Sequence, residues 1–331
     1  MKSIEICAGA GGQALGLEQA GFEHVALVEI DSAACATLRK NRPDWNVIEK
    51  DIKLFSAENY KKIDLLAGGV PCPPFSIAGK QLGHQDERDL FPEALRLVKE
   101  CDPNAVMLEN VRGLFFPKFS EYRSKIKGEL ASLGYECFWE LIQSNHYGVP
   151  QKRPRTILVA LKKEYAKHFV WPIGVVAPPP TVGMALYAEM ASRGWEGAKK
   201  WADQANDIAP TLVGGSKKHG GADLGPTRAK SAWLDLGVDC KGVVDLPPEE
   251  GFVGTPRLTV KMAALIQGFD PEWEFVGKKT PAYRQVGNAF PPPVARAIGL
   301  AIKNALLEGR KSTCENELLG DVQGDTIRSA R

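Results

Sequence analysis

A cysteine held in a proline-rich segment is the first feature of the sequence that could do chemistry. Cys72 lies in "LAGGVPCPPFSIAG", between Pro71 and the pair Pro73-Pro74. Proline fixes its own φ, donates no backbone hydrogen bond and biases the preceding residue away from the helical region. The sequence therefore predicts a stiff loop that presents a thiol. An inert packing cysteine is the alternative, because most cysteines are small buried hydrophobes.

A carboxylate and two arginines accompany this thiol. Glu109 closes the predicted strand "NAVMLEN". Arg155 begins the predicted strand "RTILVALK" and Arg153 lies two residues before it within "QKRPR", so the two share a face in extended chain. Ligands bind outside the carboxyl ends of parallel strands, and an antiparallel last strand would begin at that same edge. We expect the thiol, the carboxylate and the guanidinium groups to meet there. A helix-capping Glu109 and a solvated "QKRPR" hairpin are the alternatives.

Such a set of groups suits the activation of a pyrimidine ring. Cytosine C5 is a poor nucleophile, and a thiolate that adds to C6 converts the ring to an enamine that can attack a methyl donor through C5. A carboxyl group that donates to ring N3 would neutralise the negative charge that this addition creates, and an arginine at O2 would help. Elimination then removes the C5 proton and releases the thiol.

A glycine-rich turn near the amino terminus predicts a nucleoside site. "ICAGAGGQALGLEQAGFEHVALVEID" is typical of a strand, a turn with Gly9, Gly11 and Gly12, a helix and a second strand that ends at Glu29. Glycine permits close backbone approach, and an acidic residue at this offset meets ribose hydroxyls in Rossmann-type sites. NAD, FAD and S-adenosylmethionine all fit the pattern, and a tight turn without a ligand is also open.

The wider pattern predicts an α/β fold with a doubly wound, mostly parallel Rossmann-like sheet. Apolar strand-like runs alternate with helical patterns over the first 160 residues or so, and "YECFWELIQ" and "RTILVALK" are close enough to pair antiparallel at one edge. The glycine- and proline-rich stretch after "WPIGVVAPPPTVG" indicates an inserted, smaller, loop-rich domain. We predict a catalytic domain over 1–171 and 285–310, a recognition domain with its hinge over 172–284, and a flexible tail over 311–331.

Composition excludes several other classes of protein. The chain has 331 residues, 25% of them charged, with a net charge of +2, so bulk electrostatics alone do not indicate a nucleic-acid binder. Seven cysteines without a CxxC pair argue against a disulfide framework and a zinc ribbon, and we expect no metal. Without an apolar leader or a spanning run, we expect a protein of the bacterial cytoplasm, associated with the nucleoid.

These motifs together resemble the cytosine-C5 DNA methyltransferases, and they follow that family's order. "AGAGG" matches the first motif, "PCPPFS" resembles the nucleophile motif, and "ENVRG" and "QKRPR" match the ENV and QxRxR motifs. "RLTVKMAALIQGF" is similar to the motif that packs two domains together, and "YRQVGNAFPPPVA" resembles the final motif. The resemblance covers nearly the whole chain except the insert.

The resemblance implies a role for each matched residue and S-adenosylmethionine as the cofactor, with S-adenosylhomocysteine as the product. Cys72 would be the nucleophile, Glu109 the acid and Arg155 the partner of cytosine O2, with Arg153 and Asn110 in support. The implied cofactor contacts are Cys7, Ala8, Gly9, Gly11, Gly12, Leu15, Glu29, Ile30, Asp51, Ile52, Gly69, Pro71, Asn288 and Ala289. Cys7 departs from the phenylalanine that is usual at its position, which puts stacking on the adenine in doubt.

The resemblance also implies double-stranded DNA as the substrate, with the target base flipped out of the helix. The segment after Cys72 could close over DNA as a lid. We expect DNA contacts from residues of this segment and of the basic insert: Ser76, Lys80, Gln81, Lys217, Lys218, Arg228 and Lys230. The expected protein is a monomeric bacterial modification enzyme, with a cognate restriction endonuclease as a possible partner. A transfer-RNA methylating relative, a catalytically silent DNA-binding homologue and an NAD-dependent oxidoreductase are the rivals.

Overall fold

The computed structural model describes residues 1–71, 89–175, 177–214, 222 and 224–328, with side chains as far as Ser312. The strands are β1 (Lys2–Ile6), β2 (Glu23–Glu29), β3 (Val47–Glu49), β4 (Leu65–Gly68), β5 (Ala105–Val111), β6 (Tyr135–Gln143) and β7 (Pro154–Lys162). The first helices are α1 (Gly12–Gln19), α2 (Ser32–Asn41), α3 (Phe91–Cys101), α4 (Ser120–Ser132) and α5 (Lys163–Ala166). They are followed by α6 (Val182–Ala191), α7 (Ala198–Gln204), α8 (Thr227–Asp235), α9 (Val260–Gln267), α10 (Lys279–Asn288) and α11 (Pro292–Arg328).

The strands form one seven-stranded sheet with the order β3-β2-β1-β4-β5-β7-β6. The first five strands in this order are parallel, and β7 is antiparallel to both β5 and β6. The chain leaves β1 in one direction to reach β2 and returns on the other side to β4, so the strand order reverses beside β1. Ligands bind at such a reversal in doubly wound sheets. The predicted fold class, including the antiparallel pair at the edge, is confirmed.

Local chemistry sets the boundaries of the first elements. Gly11 precedes α1 with φ 90°, a left-handed conformation that glycine adopts without a Cβ clash. Asp31 caps α2, because its side chain accepts hydrogen bonds from the backbone N–H groups of Ala33 and Ala34 at 3.0 and 3.3 Å. These turns leave the glycine-rich loop and the end of β2 at the same edge of the sheet.

Buried side chains of the region between 172 and 284 belong to an apolar cluster that also includes residues near the sheet. Trp195, Trp201 and Trp233 belong to one buried apolar cluster with Leu15 of α1 and Leu38 of α2. The helices α6 to α10 therefore pack on the same sheet that carries the glycine-rich loop. A separate recognition domain over 172–284 stays a prediction.

The last helix is longer than the sequence indicates. It runs from Pro292 to Arg328, through the segment from Lys311 for which the sequence predicts a flexible tail. Extending an existing helix adds one hydrogen bond for each residue that is fixed, which is easier than starting a new one. Within the described residues no helix is both long and apolar enough to cross a bilayer.

Helix α1 packs against the start of α11 at very short range. A Cβ built on Gly16 would lie 2.6 Å from Ala295 Cβ and 2.8 Å from Arg296 N, and it would also meet the Pro292 carbonyl oxygen. Gly12 makes a similar approach, with its built Cβ 3.1 Å from Ala289 Cβ. The two glycines let the last part of the chain fix the helix that follows the glycine-rich loop.

Replacing Gly16 by Ala should therefore destabilise the fold by about 1–3 kcal/mol, the usual cost of forcing extra volume into a packed interface. Gly128→Ala is the matched control, because Gly128 lies on α4 with no atom within 4 Å of its built Cβ. The control should be neutral or stabilising by up to about 1 kcal/mol. Urea unfolding followed by circular dichroism measures both. Equal effects of the two substitutions would contradict the packing argument.

Candidate active site

The carboxyl edge of the sheet brings Glu109 and Arg155 into contact. In the β5–β7 ladder Val111 lies opposite Arg155, and this register sets the arginine diagonally across from Glu109. Arg155 Nε lies 2.8 Å from Glu109 Oε1, and both side chains are nearly buried. The other carboxylate oxygen, Oε2, faces Gly69 at the end of β4, where a built Cβ would lie 3.4 Å away. The predicted meeting of these two groups at one edge is confirmed.

Burial controls the protonation of this pair. Desolvation raises the pKa of Glu109 above 4.5, and the nearby guanidinium groups of Arg155 and Arg153 offset only part of that effect. Desolvation also lowers the pKa of Arg155 from its ordinary value. Glu109 therefore holds a proton at a higher pH than an exposed glutamate does. A carboxyl group in this state can act as an acid.

Asn110 fixes the backbone that leads to Cys72. Its side-chain amide donates a hydrogen bond to the Val70 carbonyl at 2.8 Å, and its side-chain oxygen accepts from the Val111 N–H at 2.8 Å. The Pro71 carbonyl accepts from Leu90 N at 3.1 Å, which joins the two ends of the segment 72–89. Cys72 itself lies outside the described residues.

Arg153 makes different contacts from Arg155, although the sequence predicts a shared face. It has no exposed surface, and its guanidinium donates to the carbonyls of Leu212, Gly287 and Ala289 at 2.7, 2.8 and 2.9 Å. Arg153, just before β7, thereby connects Leu212 in the insert with Gly287 and Ala289 at the end of α10. The contacts of Arg153 make it a positioning residue in this structure.

Two buried glutamines complete this tie. Gln151 donates to Gln267 Oε1 at 2.7 Å and accepts from Leu212 N at 2.9 Å, and Gln267 donates to the Ala289 carbonyl. We refer to Gln151, Arg153 and Gln267 as the buried strut. Both glutamines lie within the motifs "QKRPR" and "IQGF", but the sequence predicts no role for them, because their partners are groups far away in the chain.

The glycine-rich loop folds around the Glu29 carboxylate. Glu29 Oε2 accepts from Gly9 N at 2.7 Å, and Oε1 accepts from Ile30 N at 2.9 Å and Asp31 N at 2.8 Å. Cys7 and Gly9 both adopt positive φ, at 50° and 55°. The carboxylate therefore lies beside the glycine-rich turn, and its expected contact with a ribose stays a prediction. Burial, with Glu29 and Asp51 nearby, raises the pKa of the Cys7 thiol, so that thiol stays protonated and is no nucleophile.

Comparison with known proteins supports the same chemistry. The sequence-family model of the C-5 cytosine-specific DNA methylases matches residues 1–218 and 244–304 of this chain. The chain belongs to this family. It is 58% identical to the type II methyltransferase M.NgoMIV of Neisseria gonorrhoeae, over 92% of this chain and 97% of that protein. It is 57% identical to M.NaeI of Lentzea aerocolonigenes, over 93% of this chain and 76% of that protein.

Solved structures agree with the fold of this DNA methylase. A prophage-encoded DNA modification methyltransferase of E. coli matches with a TM-score of 0.68 at 25% identity, over 92% of this chain and 99% of that one. The S. pombe Dnmt2 methyltransferase matches with a TM-score of 0.63 at 17% identity, over 92% of this chain and 98% of that one. The protein is an enzyme that methylates cytosine in DNA in a sequence-specific manner, and it uses a methyl donor of the S-adenosylmethionine type.

The cofactor contacts expected of the methylase divide into accessible and inaccessible residues. Ile30, at the end of β2, is 65% exposed beside the glycine-rich loop, as a surface that an adenine could cover would be. Asn288 is also exposed, whereas Ile52 is buried. Leu15 is fully buried in the apolar cluster with Leu38, because α1 turns its side chain into the core. Its expected contact with the cofactor stays a prediction.

Most DNA contacts expected of the methylase lie outside the described residues. This applies to Ser76, Lys80, Gln81, Lys217 and Lys218. Arg228 is exposed in the first turn of α8. Lys230 is half-buried on the same helix. The structure therefore describes two of the four basic residues that we expect to contact DNA from the insert, and one of them, Arg228, is exposed. All of these contacts stay predictions.

Removing a residue of the buried strut should lower the free energy of unfolding. Arg153→Met leaves the buried carbonyls of Leu212 and Gly287 without a donor, while that of Ala289 keeps Gln267. Each unsatisfied group costs about 1–3 kcal/mol, so we expect a loss of about 2 kcal/mol or more in the free energy of unfolding. Lys152→Met is the neighbouring control, because its ion pair with Asp207 is exposed and should contribute less than about 1 kcal/mol. Urea titration gives both values. A loss below 1 kcal/mol for Arg153→Met would contradict the strut.

The raised pKa of Glu109 also predicts how stability depends on pH. The folded chain holds this proton above pH 4.5, whereas the unfolded chain releases it, so the stabilisation from this proton is present at low pH and is lost as pH rises through the folded pKa. The stability of the wild type relative to Glu109→Gln should therefore fall with rising pH. Denaturant unfolding of both proteins at a series of pH values measures this difference. A difference that is constant with pH would show that the pKa is not raised.

Proposed function

We propose that the chain transfers a methyl group from S-adenosylmethionine to C5 of a cytosine that is flipped out of double-stranded DNA. The buried pair of Glu109 and Arg155 at the carboxyl edge of the sheet carries this proposal, because it places a carboxyl group whose pKa burial raises next to the residues that lead to Cys72. The roles of these three residues come from the sequence motifs, and the geometry of the pair supports two of them.

Cys72 is the nucleophile. Its thiolate adds to C6 of the cytosine, which forms a carbon–sulfur bond and makes C5 electron-rich. Support comes from the position of its segment: Gly69 packs beside Glu109, and Asn110 and Leu90 hold the backbone of Val70 and Pro71 just before it. After transfer a base removes the C5 proton, the C6–sulfur bond breaks, and its electron pair returns to the sulfur.

Glu109 is the acid that neutralises the ring during this addition. Arg155 Nε occupies Oε1, which leaves Oε2 on the side of Gly69 to deliver a proton to cytosine N3. Arg155 also holds positive charge next to the base, where it can stabilise negative charge on the exocyclic oxygen O2 of the cytosine. Asn110 and Arg153 position these groups without contacting the base. Closure of the segment after Cys72 over DNA would exclude water from the reaction.

The loop at the end of β1 fits the cofactor. Gly9 has open space around its built Cβ, Glu29 presents its carboxylate beside that glycine, and exposed Ile30 offers an apolar surface to the adenine. When bound, S-adenosylmethionine supplies an electrophilic methyl group on sulfur, and S-adenosylhomocysteine is what remains. Asp51 and Asn288 would add polar contacts at the rim of this pocket. Cys7 replaces an aromatic ring there, so less stacking stabilises the adenine.

We further propose that the enzyme acts as a monomer in the bacterial cytoplasm and protects DNA from a restriction endonuclease that cuts the same site. The type II methyltransferase relatives support this role. Lys217, Lys218, Arg228 and Lys230 would contact the DNA from the insert. A transfer-RNA substrate is not favoured, because the relatives at 57% and 58% identity are type II methyltransferases.

A duplex that contains 5-fluorocytosine tests the covalent step. Fluorine at C5 cannot leave as a proton does, so with S-adenosylmethionine present the wild type should form an adduct that survives denaturing electrophoresis. Bisulfite sequencing of plasmid from expressing cells first locates the methylated site. Cys72→Ala should form no adduct and methylate no DNA while it still binds the donor, whereas Cys137→Ala, which alters a half-buried thiol on β6, should behave as wild type.

Glu109→Gln tests the acid separately. We expect the rate of methyl transfer in a single turnover to fall by about 10²–10⁴, the usual contribution of a positioned acid, while DNA binding is retained. Glu121→Gln on the exposed face of α4 is the control. Methylation by Cys72→Ala, or an unchanged rate for Glu109→Gln, would overturn the mechanism.

A further inference from the structure

A basic and aromatic surface follows directly after the proposed acid. Residues 111–119, "VRGLFFPKF", leave the carboxyl end of β5 and reach the start of α4 as two short 3-10 helices, Arg112–Phe115 and Pro117–Phe119. We refer to this segment as the post-acid surface. Val111 is 48% and Phe116 40% exposed, and Arg112 and Lys118 are also exposed. No role in the reaction described above uses these side chains.

Its cations lie on aromatic rings rather than on carboxylates. The Arg112 guanidinium lies 5.5 Å from the centre of the Phe116 ring, and Lys118 Nζ lies 4.9 Å from that of Phe119. Neither cation forms an ion pair with any other residue that the structure describes, whereas exposed Arg39, Lys40 and Lys152 all do. A guanidinium stacked on a ring keeps its charge and can still donate to an anion.

The surface is held rigidly at the edge of the site. Arg123 donates to the carbonyls of Leu114 and Phe116 at 2.6 and 3.0 Å, and Leu114 is fully buried beneath them. Thr156 Oγ1 donates to the Val111 carbonyl at 3.2 Å, next to Arg155 on β7. Ordered cations lose little freedom on binding, which favours a fixed contact over a transient one.

The segment that contains the post-acid surface is more positively charged than the chain as a whole. Residues 111–127 carry five lysine or arginine residues and one glutamate, whereas the whole chain has a net charge of only +2. The cations nearest the acid are Arg112 and Lys118. Lys127, on α4, is instead close to Cys137 near the start of β6, at the opposite edge of the sheet. Arg112 and Lys118 therefore place positive charge at the edge of the sheet where the base must enter.

We propose that the post-acid surface binds the phosphate backbone of the DNA beside the flipped cytosine, with Arg112 and Lys118 as the phosphate contacts, supported by Phe116 and Phe119 respectively. This inference rests on the proposed function, since it names a second DNA contact for the same site. The occupant is double-stranded nucleic acid, because phosphates complement two ordered cations that lie beside the acid at the rim. The surface holds the strand while the base is out of the helix.

The salt dependence of DNA binding tests this assignment. Binding of a fluorescent 30-base-pair duplex is measured by anisotropy over a series of salt concentrations, for the wild type and for Arg112→Gln with Lys118→Gln. Loss of two phosphate contacts should make the slope of log K against log salt shallower by about 1.8. It should also raise the KM for DNA about tenfold or more at moderate salt, with kcat at saturating DNA within about twofold of the wild type.

Lys99→Gln with Lys127→Gln is the matched control, because it removes the same two charges from exposed positions on α3 and α4. Lys99 lies in the last turn of α3, just before β5 begins, so both control positions are far from the rim. The control should keep the slope and the KM of the wild type. Equal slopes for both double variants, or a loss of kcat with an unchanged KM, would overturn the proposal.

The wild type separates this test from the proposed function. A wild type that methylates no DNA and forms no adduct refutes the proposed function, whatever the slopes are. A wild type that methylates normally while the Arg112 and Lys118 variant binds DNA with an unchanged slope refutes the post-acid surface alone, including the case in which these cations bind an acidic protein instead.

Discussion

A buried ion pair between neighbouring antiparallel strands is the constraint on which the site depends. Glu109 and Arg155 can meet only because β7 runs against β5, which brings the beginning of one strand to the end of the other. With a parallel β7, Arg155 would lie at the opposite edge of the sheet. Burial raises the pKa of Glu109, and the arginine keeps the group in place at some cost in desolvation. Reactivity here is a consequence of sheet topology.

Around this pair, hydrogen bonds from side chains to backbone carbonyls set positions. Asn110 holds the backbone before the nucleophile, and the buried strut of Gln151, Arg153 and Gln267 ties the beginning of β7 to the insert and to the end of α10. The carbonyl of Ala289 accepts from two members of the strut, and Ala289 adjoins Asn288 at the expected cofactor pocket. The proposed base site and the cofactor pocket thus share one rigid support.

Much of this arrangement could be predicted from the sequence, because strands and reactive side chains leave strong patterns. The order of alternating elements predicted the sheet, and the spacing from Gly9 to Glu29 predicted a nucleoside site, at whose position the two residues do lie side by side. The two glutamines of the strut were not predictable in this way, because their partners lie far away in the chain. Composition also predicted a flexible tail where α11 continues.

The close approach of α1 to α11 bears on how the protein is made. The helix that follows the first strand rests on residues that lie far later in the chain, such as Ala295 against Gly16, and Leu17, Phe22, Ile298 and Ile302 belong to one apolar cluster. Until those later residues emerge from the ribosome, the nascent chain exposes an apolar surface on one side of its central strands. Such contacts between distant parts of a chain slow folding and favour aggregation of incomplete chains. Chaperone dependence during translation is the natural consequence of this architecture.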